Sequence, residues 1–196
     1  MSFLRFVAYP SVMIVVTAAI AWGVAANLPI EAIAVLPALV GGAIAWGLEK
    51  LLPYEASWSK GRGDVPVDVA HLVVSFGLVP ALYQASLALA LSTSGAALSE
   101  LLAVPLWPST WPVAAQIALA LAVSELGYYV AHRVGHAWLF RFHATHHAAD
   151  RLYWLNVVRF HPIDALLQLV GQVGPLALLG ASPTIVTVVV AITSVH

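Results

Sequence analysis

The chain contains no cysteine. Disulfides, thiolate metal sites and cysteine nucleophiles are therefore excluded, and histidine becomes the main candidate for binding a metal. Charge is also scarce. Asp, Glu, Lys and Arg make up 9% of the 196 residues, against roughly 25% in ordinary soluble domains. So few charges cannot form the polar shell of a globule this size. The net charge of −1 gives no pointer to nucleic acid, and no nucleic-acid partner is expected.

What the chain does have is apolar sequence, 61% of it, arranged in blocks of membrane-spanning length rather than amphipathic stripes. Four blocks, at 10–26, 30–48, 67–91 and 112–131, are predicted to cross. Arg5 ahead of the first resembles a signal-peptide start, but further spans follow at once, which suits an uncleaved anchor. In the second block Ala34, Ala38 and Gly42 recur at four-residue spacing, which lets another helix approach closely in lipid. Residues 92–111 have only short apolar runs and hold Pro105, Trp107, Pro108 and Trp111. They are predicted to form an interfacial or re-entrant connection anchored by the tryptophans. Residues 132–162 turn polar, aromatic and basic, like a cap lying on the membrane. The last apolar stretch is interrupted by Gly180-Ala-Ser-Pro183, a turn signal.

The expectation is an all-α integral membrane protein: four spans, a C-terminal helical hairpin and a histidine-rich helical cap. The basic residues orient it. Arg5, Lys50, Lys60, Arg62, Arg133, Arg141, Arg151 and Arg159 all fall on one side if the four blocks each cross. The positive-inside rule makes that side cytoplasmic, together with the N-terminus and the histidines.

Five of the eight histidines lie within sixteen residues: His132, His136, His143, His146 and His147. His132 and His136 are four apart, so on a helix both rings can reach one metal. His143 pairs with His146 or His147 in the same way. A structural zinc site needs only four ligands, so the surplus favours a two-metal centre. Zinc, copper, iron and nickel all accept imidazole. The motif His132-Arg-Val-Gly-His136 lacks the adjacent glutamate of a zinc protease. Glu125 stands two helical turns before His132, where a carboxylate within a span needs a partner and could orient a ligating ring. Asp68 and His71, one turn apart in the third block, could serve similarly.

Three segments, taken together, resemble the fatty acid hydroxylase/sterol desaturase superfamily: His132-Arg-Val-Gly-His136, Trp138-Leu-Phe-Arg-Phe-His143-Ala-Thr-His146-His147, and Asn156-Val-Val-Arg159-Phe-His161-Pro162. The resemblance implies a membrane enzyme whose histidines hold two iron ions, with zinc as a possible substitute. It implies hydroxylation or desaturation of a C–H bond in a membrane lipid (sterol, fatty acyl or related), using molecular oxygen. The electrons would come from an external redox partner such as a cytochrome b5- or ferredoxin-type donor. His132, His136, His143, His146 and His147 would be ligands, with His161 among or beside them and Asn156 and Arg159 as supporting polar residues. No catalytic side chain is expected beyond the ligands. Residues 1–111 would be N-terminal helices and loops, and 112–196 the hydroxylase-like region. The family's third box, His-x-x-His-His, is not in these 196 residues; His196 stands where the histidine upstream of that box belongs. A piece of a longer protein is therefore expected. The alternatives are a membrane metal-binding protein without turnover and an inactive homologue. Within the hairpin, His196 is predicted to return toward the other histidines.

Overall fold

A computed structural model describes residues 2–194, without side-chain detail for 2–5 and 84–88. Among these residues the secondary structure is helical, with no strand. Helices α1 (Ser2–Ala25) and α2 (Ile30–Leu51) are followed by α3 (Val65–His71), α4 (Val79–Leu102), α5 (Val113–Trp138), α6 (Phe140–His147), α7 (Pro162–Leu179) and α8 (Pro183–Thr193). Five stretches are long and apolar enough to cross a bilayer, the fifth being α7, the first limb of the predicted hairpin. The chain is a multi-pass, all-α integral membrane protein. The start of α1, the end of α2, the start of α3, the end of α5, all of α6 and the start of α7 share one side, here called the cap side.

A π-helical stretch, Leu72–Leu78, joins α3 to α4 without a break. It ends just before Pro80, which has no N–H to bond the carbonyl of Phe76 and whose ring would crowd it; widening the turn removes that conflict. The rod then continues to Leu102, which corrects the interfacial reading of 92–102. Ser92 and Thr93 return their hydroxyls to the carbonyls of Leu89 and Ala90 at 2.9–3.0 Å, so their polarity is satisfied inside the helix. Trp107 is no interfacial anchor either. It is 4% exposed and donates its indole N–H to Gln116 at 2.8 Å.

The predicted small-residue face of α2 is off by one position. Its buried residues are Ile33, Pro37 and Gly41, and Gly42 instead faces the Trp154 ring at 3.6 Å from where a Cβ would stand. The close helix approach occurs elsewhere. A Cβ on Gly127 of α5 would lie 2.0 Å from the carbonyl oxygen of Gly171 on α7, and one on Gly95 of α4 would lie 2.2 Å from that of Leu178. α7 is thus clasped between two helices at backbone contact. Gly180 ends α7 with φ of 82°, Ser182 caps α8 through its side chain, and Pro183 starts it. The predicted hairpin is present, and Gln172 joins its limbs through Thr193 at 3.0 Å. His196 lies outside the described residues.

Candidate metal centre

The site begins at the cap-side end of α5. His132 and His136 stand one turn apart there, with Nε2 atoms 3.2 Å from each other. Leu139 leaves the helical conformation for a single residue (φ −120°, ψ 24°), and α6 starts at once in a new direction. That turn brings His143 and His147 onto the first pair, their own Nε2 atoms 3.1 Å apart. One ligand nitrogen from each of the four rings falls within 4.8 Å of all the others. Gly135 makes this possible, since a Cβ there would lie 3.2 Å from the His143 ring and 3.5 Å from Asp164.

His143 is fully buried, whereas His136 and His147 are exposed, so the group has a closed side and an open side. On the closed side the Nδ1–H of His143 donates to Asp164 Oδ2 at 2.9 Å. The carboxylate can only accept, so the proton sits on Nδ1 and the Nε2 lone pair is left facing the other imidazoles. Gln168, one turn along α7, donates to the other oxygen of Asp164 at 3.3 Å. Asp164 is the functional residue that sequence reasoning missed. The signal was available as a carboxylate two residues after His161-Pro162, at the head of an apolar helix. Asp164 thus bonds a ring of the cluster, the kind of contact expected of Glu125, which lies on the exposed side of α5.

His146 lies beside the four, its ring 5.3 Å from His147 and 5.7 Å from His143. It stacks on Phe160 at 4.3 Å. Burial, reinforced by the neighbouring imidazoles, lowers its pKa to about 4, so its ring is neutral at physiological pH. His161 is placed differently: its Nδ1 accepts the backbone N–H of Ile163 at 3.2 Å and caps α7.

The other predicted residues hold the cap down. Asp68 is fully buried; it takes two hydrogen bonds from Arg159, one of them at 2.9 Å, and one from the Tyr153 hydroxyl at 2.6 Å. One turn earlier, Asp64 receives Arg151 through two nitrogens at 2.6 and 3.0 Å. Those hydrogen bonds keep the Asp64 carboxyl well below the usual carboxylate range. Asn156 closes the intervening loop, donating to Arg151 O at 2.7 Å and accepting from Tyr153 N at 3.3 Å. His71 Nδ1–H and Ser75 both donate to the carbonyl of Phe160, at 2.8 and 2.6 Å. Asp68 and His71 therefore support the cap through Arg159 and Phe160, and Phe160 carries His146 on its ring.

The donor set suits a transition metal. A tetrahedron with metal–nitrogen bonds of about 2.0–2.1 Å has ligand atoms about 3.4 Å apart, close to the two paired separations. Four convergent imidazoles would repel one another if protonated, whereas a bound cation requires the neutral ring. Among the described residues the Nδ1 atoms of His132 and His146 are buried without a hydrogen-bond partner, so each ring keeps a nitrogen that the protein does not satisfy.

Comparison with known proteins agrees with the motifs. Residues 117–196 match the family model described as fatty acid hydroxylase. The chain is also similar to a curated Rhizobium tropici protein described as ornithine lipid hydroxylase OlsE, with 39% identity over 137 residues. That alignment covers 65% of this chain, which spans 39% of the relative's length. No solved structure matches it significantly.

Proposed function

With residues 117–196 matching the fatty acid hydroxylase family model, we propose that the protein takes part in oxygen-dependent hydroxylation of a membrane lipid at a histidine-bound iron centre. The observation that carries this reading is the convergence of four imidazole nitrogens within 4.8 Å, inside the segment that matches the family. Hydroxylation ranks ahead of desaturation because both matches describe a hydroxylase.

His132, His136, His143 and His147 are the proposed ligands, with His146 contributing to a second iron and His161 and His196 as further candidates; zinc could occupy the same donors. Iron held there, with molecular oxygen and two electrons from a cytochrome b5- or ferredoxin-type partner, would supply the oxidising power that an unactivated C–H bond demands. The chain's own residues set the geometry. Asp164 fixes which nitrogen of His143 carries the proton, and Gln168 steadies Asp164. The Asp64–Arg151 and Asp68–Arg159 pairs fasten the cap to α3. The site lies where α5 and α7 reach the membrane surface, so a lipid chain can approach from the bilayer without crossing water. An acyl lipid with an amino-acid head group is the first substrate to test, given the relative's description.

The test is lipid mass spectrometry on cells expressing the whole coding region under ¹⁸O₂. A product heavier by one ¹⁸O atom, absent from the His136→Ala variant, is expected. A product that carries no label, or that persists in the variant, would refute the function. We further propose that the cap side is cytoplasmic, on the strength of the basic residues. Cysteines replacing Lys60 and Asp150 should label from the cytoplasm and one replacing Thr110 from the opposite side. Labelling of Asp150→Cys and Thr110→Cys from the same side would contradict that orientation.

A further inference from the structure

Away from the histidines, a groove of about 540 Å³ opens between the start of α1, the end of α2 and the cap loop. That volume lies within the range of small-molecule sites, roughly 300–1,000 Å³. Its floor is made of small and aliphatic side chains from α1 and α2, and its rim includes Tyr9, Tyr54, Trp58 and Trp154. These residues lie where two spans end on the cap side, the level at which aromatic side chains meet lipid head groups.

The groove's charge runs against that of its surroundings. The cap side carries the basic residues, yet no Lys, Arg or His lines the groove, and its two formal charges are Glu49 and Glu55. Both carboxylates are aimed by backbone bonds: Glu49 accepts from Trp154 N at 2.9 Å and Glu55 from Ser57 N at 3.2 Å. Each keeps spare acceptor capacity, and among the described residues neither is in an ion pair. Arg151, whose charge Glu49 also feels, is bound through two nitrogens to Asp64. Tyr54 and Trp58, which stack with centroids 5.8 Å apart, both line the same space. Carboxylates beside aromatic faces form a receptor for an organic cation. The apolar floor adds a place for a chain.

We propose that this groove binds a membrane lipid through a positively charged amine in its head group, with Glu49 and Glu55 as the charge partners. An anionic head group would meet two like charges, and a neutral one would leave them unanswered. As a choice of substrate class this rests on the lipid-hydroxylase reading, but amine recognition can be measured without iron, oxygen or turnover.

The experiment is native mass spectrometry of the full chain in neutral-lipid nanodiscs. One probe is an acylated ornithine lipid with its free amine and its carboxyl methyl-esterified, and the other is the same ester with that amine acetylated. Retention of the free-amine probe is expected at about tenfold over the acetylated one, as fits a charge and cation–π contribution. Glu49→Gln and Glu55→Gln keep the hydrogen-bond acceptors but remove the charges, so each should reduce the preference and the pair abolish it, with helix content unchanged. Equal retention of both probes, displacement of the amine probe by phosphatidylglycerol, or a preference surviving in the double variant would overturn the proposal. Amine preference without lipid oxidation would count against the hydroxylase reading alone, and lipid oxidation without amine preference against the groove alone.

Discussion

Helices α2 and α7 are both apolar and of spanning length, 22 and 18 residues, but they meet their surroundings in opposite ways. α2 buries 17% of its span and leaves Val35, Leu36, Leu39, Val40 and Trp46 exposed, as suits a helix that faces lipid. α7 buries 33% of its span, including the polar Asp164 and Gln168. A carboxylate is costly within a membrane helix unless it is paired. Asp164 is paired with His143 and Gln168 because glycines draw α5 and α4 onto the backbone of α7. Close packing and the polar site are therefore parts of one arrangement, whereas α2 serves as a collar.

The sharpest way to break that comparison is to enlarge a glycine in each region. A side chain at Gly171 would begin 2.5 Å from the Cβ of Ala131 and 2.7 Å from the carbonyl oxygen of Gly127, so backbones must separate. Gly171→Leu should cost more than the roughly 1–3 kcal/mol typical of overpacking and give little folded, metal-retaining protein by size-exclusion chromatography. Gly42→Ala meets only the Trp154 ring at 3.6 Å, an ordinary contact, and should change stability by less than about 0.5 kcal/mol. Similar losses in both variants would erase the distinction between clasped helix and collar.

A smaller effect separates the two candidate carboxylates. Asp164→Asn removes the charge facing His143 and should lower metal affinity about 10–100-fold, measured by competition with a chelator. Glu125→Gln, on the exposed side of α5, should lower it less. The reverse order would return the orienting role to Glu125.

These regions also differ in what the sequence revealed. The helical membrane class and the 180–183 turn followed from apolar run length and turn chemistry, both local properties. Two chelating pairs were visible because i, i+4 spacing fixes proximity within a helix. That the pairs converge was not visible, because it depends on the single non-helical residue Leu139. Asp164 is 21 residues from His143, and only the crossing of α5 and α7 joins them. The small residues behind that crossing, Gly127, Ala131 and Gly135, do repeat every four positions. The equivalent spacing occurs in α2, and spacing alone cannot say which face finds a partner. The length of the α3–α4 rod was not legible because residues 92–111 have only short apolar runs, although inside the helix the hydroxyls of Ser92 and Thr93 are satisfied by its own carbonyls.

The central claim, that His132, His136, His143 and His147 form one metal centre, is tested most directly by the metal-to-protein ratio of the purified chain. The measurement is elemental analysis after loading with iron(II) and removal of weakly bound ions, comparing the unaltered chain with a His143→Ala/His147→Ala variant whose helix content is checked in parallel. The account predicts iron retained by the unaltered chain and largely lost from the helical double variant. Equal iron in both proteins would contradict it.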